Sequence, residues 1–312
     1  MIPEFDHDAF IIGTGPVGLM AALALARLDL KVAVCGPLPR SGPNADVSTA
    51  QKHDSRTAAL LNTSATILQH LGIWTDLAES ASPVRAIRLV DDLGNLPRAP
   101  EVLFQASHIN AEQLAWNVPN IDIVCHLSRR LLEVAGRNQK CQIIHDALVD
   151  KVTCRPSHAV IELDDRRTYR TKLVVGADGR KSRARLGAGI ETTSWSYNQH
   201  ALTAQFAHSR PHRDISTEFH RPTGPLTVVP IAGQRSSLVW VTTPDATTRL
   251  ENMPALQFAT ALETELQGLL GTISDLSPRT SVPLSAMIAD KFAQKRVILV
   301  GEAAHVLPPI GA

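Results

Sequence analysis

Apolar positions along this chain follow two different periods. Residues 9–12 form a short unbroken apolar run, residues 13–18 hold three glycines, residues 19–28 are apolar nearly all round, and residues 31–35 return to a strand pattern. That succession predicts a strand, a tight turn, a buried helix and a second strand, which together make a βαβ unit. Residues 58–71 have helical character and stop before Gly72, a residue suited to a left-handed C-cap. Segments 111–115 and 121–134 predict further helical pieces, and 173–175 another short buried strand. From 200 to 243 the pattern changes: segments 201–206, 226–231 and 237–242 are rich in β-branched residues and separated by Pro and Gly, which predicts an antiparallel sheet. Pro254, then Leu256, Ala259, Leu262, Leu266 and Leu269 at helical spacing, with Gly271 beyond, describe one amphipathic helix expected to cover a face of that sheet. Residues 296–300 revert to a buried-strand pattern, so the α/β core is expected to be discontinuous, with the sheet region inserted in it.

Composition narrows the class without naming it. With 312 residues, 44% of them apolar, the chain can bury one or two sizeable cores. Lysine plus arginine number 31 against 30 aspartate plus glutamate, so no global field draws it to nucleic acid or to an anionic bilayer. Cys35, Cys125, Cys141 and Cys154 are far apart, with no paired spacing for zinc or for a disulfide scaffold, and a reduced cytoplasm is the simplest setting. Glu4, Asp6 and Asp8 stand where a secretory signal would be basic, and no apolar run reaches the ~20 residues of a spanning helix. A protein neither exported nor integral to a membrane is expected. Pro and Ser cluster between Pro37 and Ser48, a surface-loop composition.

Three glycine-bearing turns carry the chemistry. The first, Gly13-Thr14-Gly15-Pro16-Val17-Gly18, is a G-x-G-x-x-G between a predicted strand and a predicted helix. Its glycines permit the tight turn, the approach of backbone N–H groups to a diphosphate, and close helix packing. The motif alone does not separate FAD from NAD, and a purely structural turn is its bland alternative. The acidic residue that often holds the ribose, about 20 residues on, is missing: Gly36 stands there, after Cys35. The second turn is Gly176-Ala177-Asp178-Gly179 with Ser182 and Arg185; the third is Gly301-Glu302-Ala303-Ala304-His305 followed by Pro308, Pro309 and Gly311. Singly, each also reads as a strand leaving a sheet through a turn.

In this order the three motifs resemble the FAD-dependent aromatic hydroxylases of the p-hydroxybenzoate hydroxylase class, with their early G-x-G-x-x-G, central G-A-D-G-x-x-S-x-x-R and late G-D-A-A-H-x-x-x-P. The likeness is closest to the ubiquinone-biosynthesis hydroxylases, to which Asp54-Ser55-Arg56-Thr57-Ala58-Ala59-Leu60, Leu71-Gly72-Ile73-Trp74, Trp195-Ser196-Tyr197-Asn198-Gln199 and Gly224-Pro225 are similar. It covers essentially the whole chain. It implies a Rossmann-like FAD-binding domain with an inserted antiparallel β-sheet plus helix substrate domain: residues 1–82, 102–188 and 289–312 for the first, 83–101 and 189–288 for the second.

By the same resemblance, Gly13, Gly15 and Gly18 approach the FAD diphosphate, Arg56 contacts the cofactor, and Asn120 bonds the ribityl chain. Asp178 and Gly179 help organise the diphosphate, Arg185 fixes their loop, and Gly301, Glu302 and Pro309 form the flavin end. The residues alone equally allow Arg56 as a helix-start charge, Asn120 as a helix cap and Asp178 as a turn residue. Glu302 replaces the family's aspartate and is one methylene longer, so weakened ribityl binding is expected. His305 reads as a packing histidine rather than an acid or base, and no catalytic residue is assigned.

The implied chemistry uses NAD(P)H to reduce FAD and dioxygen to form a flavin hydroperoxide that hydroxylates a polyprenylated phenol. The implied partners are that substrate and a ubiquinone-biosynthesis complex, with a cytoplasmic place at the periphery of the inner membrane. A hydroxylase of a small soluble phenol, a flavin reductase and an inactive scaffold are the competing readings. Family members continue past the Pro-Pro-x-Gly segment into a helix facing the flavin and a further helical part. The resemblance therefore implies a chain truncated at its C-terminal end.

Overall fold

The computed structural model describes residues 5–39 and 56–308. Most of the Pro- and Ser-rich stretch, Asp54, Ser55, Pro309 and Gly311 lie outside the described residues. The chain divides into two compact units.

The first unit comprises Met1–Val47, Ile123–Trp195 and Ser285–Leu307. Its sheet sets Val297–Leu299, Thr168–Gly176, His7–Ile12, Val32–Cys35 and Cys141–Ile144 side by side, each parallel to its neighbour. Ala293–Gln294 adds an antiparallel edge, and Val149–Cys154 and Ala159–Leu163 pair antiparallel on from Thr168–Gly176. Parallel strands covered on both faces read as continuous apolar runs. All four residues of Val32–Cys35 are accordingly buried, as are Phe10, Ile11 and Ile12. Helix Pro16–Ala26 begins on a proline, whose missing N–H costs nothing at that position, and buries Gly18, Leu19, Ala22, Leu23 and Ala26. The helix expected over 121–134 runs Asn120–Arg137.

The second unit comprises Ser48–Asp122, Ser196–Leu284 and Pro308–Ala312. Leu226–Ile231 pairs antiparallel with Arg235–Thr242 on one side and with Ile215–His220 on the other, and Arg235–Thr242 pairs antiparallel with Thr192–His208. Ala86–Asp91 is added parallel to Ile215–His220, so the sheet is mixed rather than wholly antiparallel. Helix Ala255–Glu265, which starts after Pro254 as its spacing predicts, buries Phe258, Ala259 and Leu262 in one cluster with Leu202, Phe206, Leu238 and Trp240 of the sheet. Losing a ring such as Phe258 from that cluster costs about 3–5 kcal/mol.

Two local expectations are corrected. Residues 57–61 are a strand, Thr57–Leu61, and the helix is confined to Asn62–His70, ending on Gly72 at φ +75° as expected. Segment 111–115 is not helical: Ala106–Ile109 is a short 3-10 turn and Ala115–Pro119 is a strand. These two strands pair antiparallel from Thr57↔Pro119 to Leu61↔Ala115, and that long-range ladder overrides the local helix preference of alanine and leucine. In the second unit, the described residues 56–122 group with the sheet. The physical tie is a buried cluster of Val84, Ala115 and Val229, together with Asn117 Nδ2 donating to the Pro230 carbonyl at 2.8 Å. Among the described residues, no helix is long and apolar enough to cross a membrane.

Candidate functional site

Strand register brings the three turns together. His7–Ile12, Thr168–Gly176 and Val297–Leu299 are adjacent and parallel, with Ile12 opposite Gly176 and Gly176 opposite Leu299. The three strands therefore end at one level, and the glycine turns leave from the same edge of the sheet. Backbone bonds stitch that edge: Ala177 N–H donates to Ile12 at 2.8 Å, Val300 N–H to Gly176 at 2.9 Å, and Gly13 N–H to Cys35 at 2.8 Å. In open α/β sheets this carboxyl edge is where ligands bind.

Each glycine of the first turn does a different job. Gly13 sits at φ +108°, and a β-carbon there would strike the Ala177 carbonyl. A β-carbon on Gly18 would strike the Gly13 carbonyl and lie 3.1 Å from the Ala177 methyl. Gly15 is the opposite case, since a β-carbon there meets nothing within 4 Å. Gly15 is also the N-cap of the 11-residue helix Pro16–Ala26 and offers no side chain to its free N–H groups. An uncapped helix start carrying partial positive charge, with open space over its N-cap, suits a phosphate anion. The residues present thus fit the diphosphate of a dinucleotide.

At the second strand the missing acid has a steric counterpart. Gly36 has φ +152°, and a β-carbon there would approach Thr14 Oγ1 to 2.8 Å. Thr14 Oγ1 itself donates to the Pro37 carbonyl at 2.5 Å. Cys35 is buried, its Sγ lies 3.4 Å from the Ala147 carbonyl, and burial pushes its thiol up to about 11. It forms a neutral wall rather than a ribose ligand.

In the central motif Asp178 points inward along its own loop. Its Oδ1 accepts from Ser182 Oγ at 2.6 Å, and its Oδ2 accepts from Arg183 N–H at 2.6 Å and Ala184 N–H at 3.2 Å. Ser182 in turn accepts from Arg185 N–H at 2.9 Å, so the two side chains cap the start of Arg183–Ala188. Gly179, at φ +74°, makes the bend and faces open space. Arg185 ties the central turn to the late one, donating to the Ala303 carbonyl at 2.8 Å and to the Arg180 carbonyl at 2.6 Å.

The late motif lies against the first. Gly301, at φ +59°, would place a β-carbon 3.2 Å from Val17 Cγ2. Glu302 is 60% exposed, with its Oε2 3.6 Å from Arg180 Nε. Arg180 also donates to Ser285 Oγ at 2.8 Å. The His305 ring stacks on Phe292 at 6.0 Å between centroids. Gly13, Gly15, Gly18, Asp178, Gly179, Gly301 and Glu302 are therefore neighbours in one unit.

Arg56 and Asn120 come together in the other unit, where Asn120 N–H donates to the Arg56 carbonyl at 3.1 Å and Asn120 opens helix Asn120–Arg137. Sequence reasoning passes over Arg180, which occupies an unspecified position of its motif. Only the fold reveals that it faces Glu302.

The FAD binding domain family model matches residues 6–312. The chain belongs to that family. It is 31% identical over 303 residues to the ubiquinone hydroxylase UbiL of Rhodospirillum rubrum, a match covering 97% of this chain and 67% of that one. It is 27% identical over 301 residues to the 3-demethoxyubiquinol 3-hydroxylase of Escherichia coli, covering 96% of this chain and 73% of the relative. Among solved structures it superposes on the flavin-dependent monooxygenase PieE, in complex with FAD and substrate, with a TM-score of 0.72 at 19% identity. That match covers 98% of this chain and 54% of PieE, and it speaks for the fold alone. Within the family the chain groups with the FAD-dependent aromatic-ring monooxygenases, and FAD is the cofactor of its kind.

Proposed function

We propose that this protein hydroxylates the ring of a polyprenylated phenol in ubiquinone biosynthesis, with NAD(P)H as electron donor and dioxygen as oxidant. The observation that carries the reading is the shared edge at which Gly13, Ala177–Gly179 and Gly301 leave three adjacent parallel strands. The ubiquinone hydroxylases among its relatives supply the substrate class.

In this reading the helix start at Gly15 and the backbone N–H groups of the first turn hold the diphosphate of FAD, and the Asp178–Ser182 cap keeps the central turn rigid beside it. Glu302 serves the ribityl hydroxyls when it releases Arg180. When bound and reduced, the flavin with dioxygen supplies an electrophilic hydroxyl group to an electron-rich ring. The chain's part is to bind, orient and exclude water, so that reduced flavin is not lost to futile oxidation. No general acid or base is required of His305, whose ring is stacked on Phe292. A prenyl tail fits peripheral contact with the inner membrane and a place within a biosynthetic complex.

The test is expression in a bacterial strain lacking ring hydroxylases, with quinone intermediates identified by mass spectrometry. Disappearance of one polyprenylated phenol and appearance of its hydroxylated product is expected. Turnover of small soluble phenols with no change in the prenylated pool would overturn the substrate assignment.

A further inference from the structure

The sheet unit contains a cavity of about 230 Å³ that takes no part in the site described above. Three arginines, Arg88, Arg210 and Arg213, border it, and among the described residues no aspartate or glutamate does. Leu269 and Leu270 supply an apolar wall.

The guanidinium groups are only lightly engaged. Arg88 Nε lies 3.7 Å from Glu101, a long contact whose acidic end is exposed. Arg210 gives one N–H to the Gly268 carbonyl at 2.9 Å, and its other donors remain. Among the described residues, no ion pair or side-chain hydrogen bond engages Arg213. His212, also at the cavity, accepts at Nδ1 from Asp214 N–H at 3.0 Å and donates from Nε2 to the Gly233 carbonyl at 2.9 Å. The nearby carboxylate of Asp214 lies 3.2 Å from Arg85 Nε and 3.7 Å from His212 Nδ1. The lining itself supplies three guanidinium groups, with Glu101 and Asp214 touching it from outside at 3.7 Å.

The backbone adds a second observation. Arg213 and Asp214 are consecutive non-glycine residues at φ +54° and +58°. Two such residues in succession are strained, and strain of this kind persists where the surroundings impose it, typically at ligand clamps. Arg213, the first of the two, borders the cavity.

We propose that this cavity binds a small organic anion. Guanidinium forks match the planar oxygens of carboxylates and phosphates, and a volume below the roughly 300 Å³ of ordinary ligand pockets restricts the occupant to a compact molecule. Its charged end sits among Arg88, Arg210 and Arg213, and its apolar body lies on Leu269 and Leu270.

Isothermal titration of the 312-residue chain with benzoate, and separately with phenyl phosphate, tests the assignment. Saturable one-to-one binding of at least one probe is expected, weakened at least tenfold by Arg213→Gln and by Arg88→Gln. Arg213→Gln leaves the melting temperature unchanged, because that side chain holds nothing else in place. Binding of benzoate alone marks a carboxylate ligand, and of phenyl phosphate alone a phosphate monoester. Failure of both probes to saturate, or equal affinity in the wild type and both variants, overturns the proposal.

Discussion

The carbonyl oxygen of Ala177 occupies the space that a β-carbon on Gly13 would need. Two turns more than 160 positions apart in the chain are thereby locked to each other, and the lock works only with glycine at φ +108°. Gly13→Ala must adopt a disfavoured backbone and push the central turn away. Destabilisation by about 1–3 kcal/mol is expected, measured as a lowered midpoint in urea with an unchanged slope.

Asp178 is held by three hydrogen bonds inside its own loop. Removing a cap of this sort costs about 1–2 kcal/mol, so Asp178→Ala should lose that much stability. Because the cap shapes the turn beside Gly13, FAD affinity should fall as well. Fluorescence titration checks this, and Ser182→Ala is expected to move both readouts in the same direction by less.

Glu302 and Arg180 form a pair in which both side chains are about half exposed or more. Such pairs contribute about 0–1 kcal/mol, so Arg180→Gln should scarcely change thermal stability. It should nevertheless tighten FAD binding, by freeing the carboxylate for the ribityl hydroxyls. Glu302→Asp, which restores the shorter side chain, should tighten it too. Unchanged FAD affinity in both variants would remove Glu302 from the flavin site.

His7 is 6% exposed, with Nε2 2.8 Å from Gln142 Oε1 and Nδ1 buried without a partner. Burial lowers its pKa below the ordinary 6.5, and the Gln142 bond opposes that only in part. As pH falls through 6.5 the unfolded chain takes up a proton that the folded chain refuses, so stability falls with pH from that point until the folded pKa is reached. His208, lowered in the same way by burial, adds to the effect. Urea melts at about pH 7.5 and about pH 5.5 should show lower stability in acid, with a smaller drop in His7→Leu.

Much of this was legible in the sequence where local chemistry dictates the outcome. The G-x-G-x-x-G is readable because only glycine tolerates the positions of Gly13 and Gly18, and the helix after Pro254 because its apolar residues recur at helical spacing. Thr57–Leu61 was not readable, since its alanines and leucines prefer a helix and become a strand only through pairing with Ala115–Pro119. The tie of Ala115–Pro119 to the larger sheet was equally unreadable, since Asn117 reaches Pro230 across 113 positions. Arg180 carried no signal at all, being one of the unspecified letters of its motif. The role of Gly36 was visible only as a missing acid, until the fold placed Thr14 against it.

Gly15 separates cofactor binding from folding most directly, because a side chain there meets no protein atom within 4 Å and its extended backbone, φ −69° and ψ 174°, suits any residue. Gly15→Val should leave the urea midpoint within the roughly 0.5 kcal/mol scatter of neutral surface changes. The dissociation constant for FAD should rise at least tenfold, about 1.4 kcal/mol, because the new side chain fills the space over the helix start. An unaltered FAD affinity in that variant would contradict a diphosphate seated at this turn.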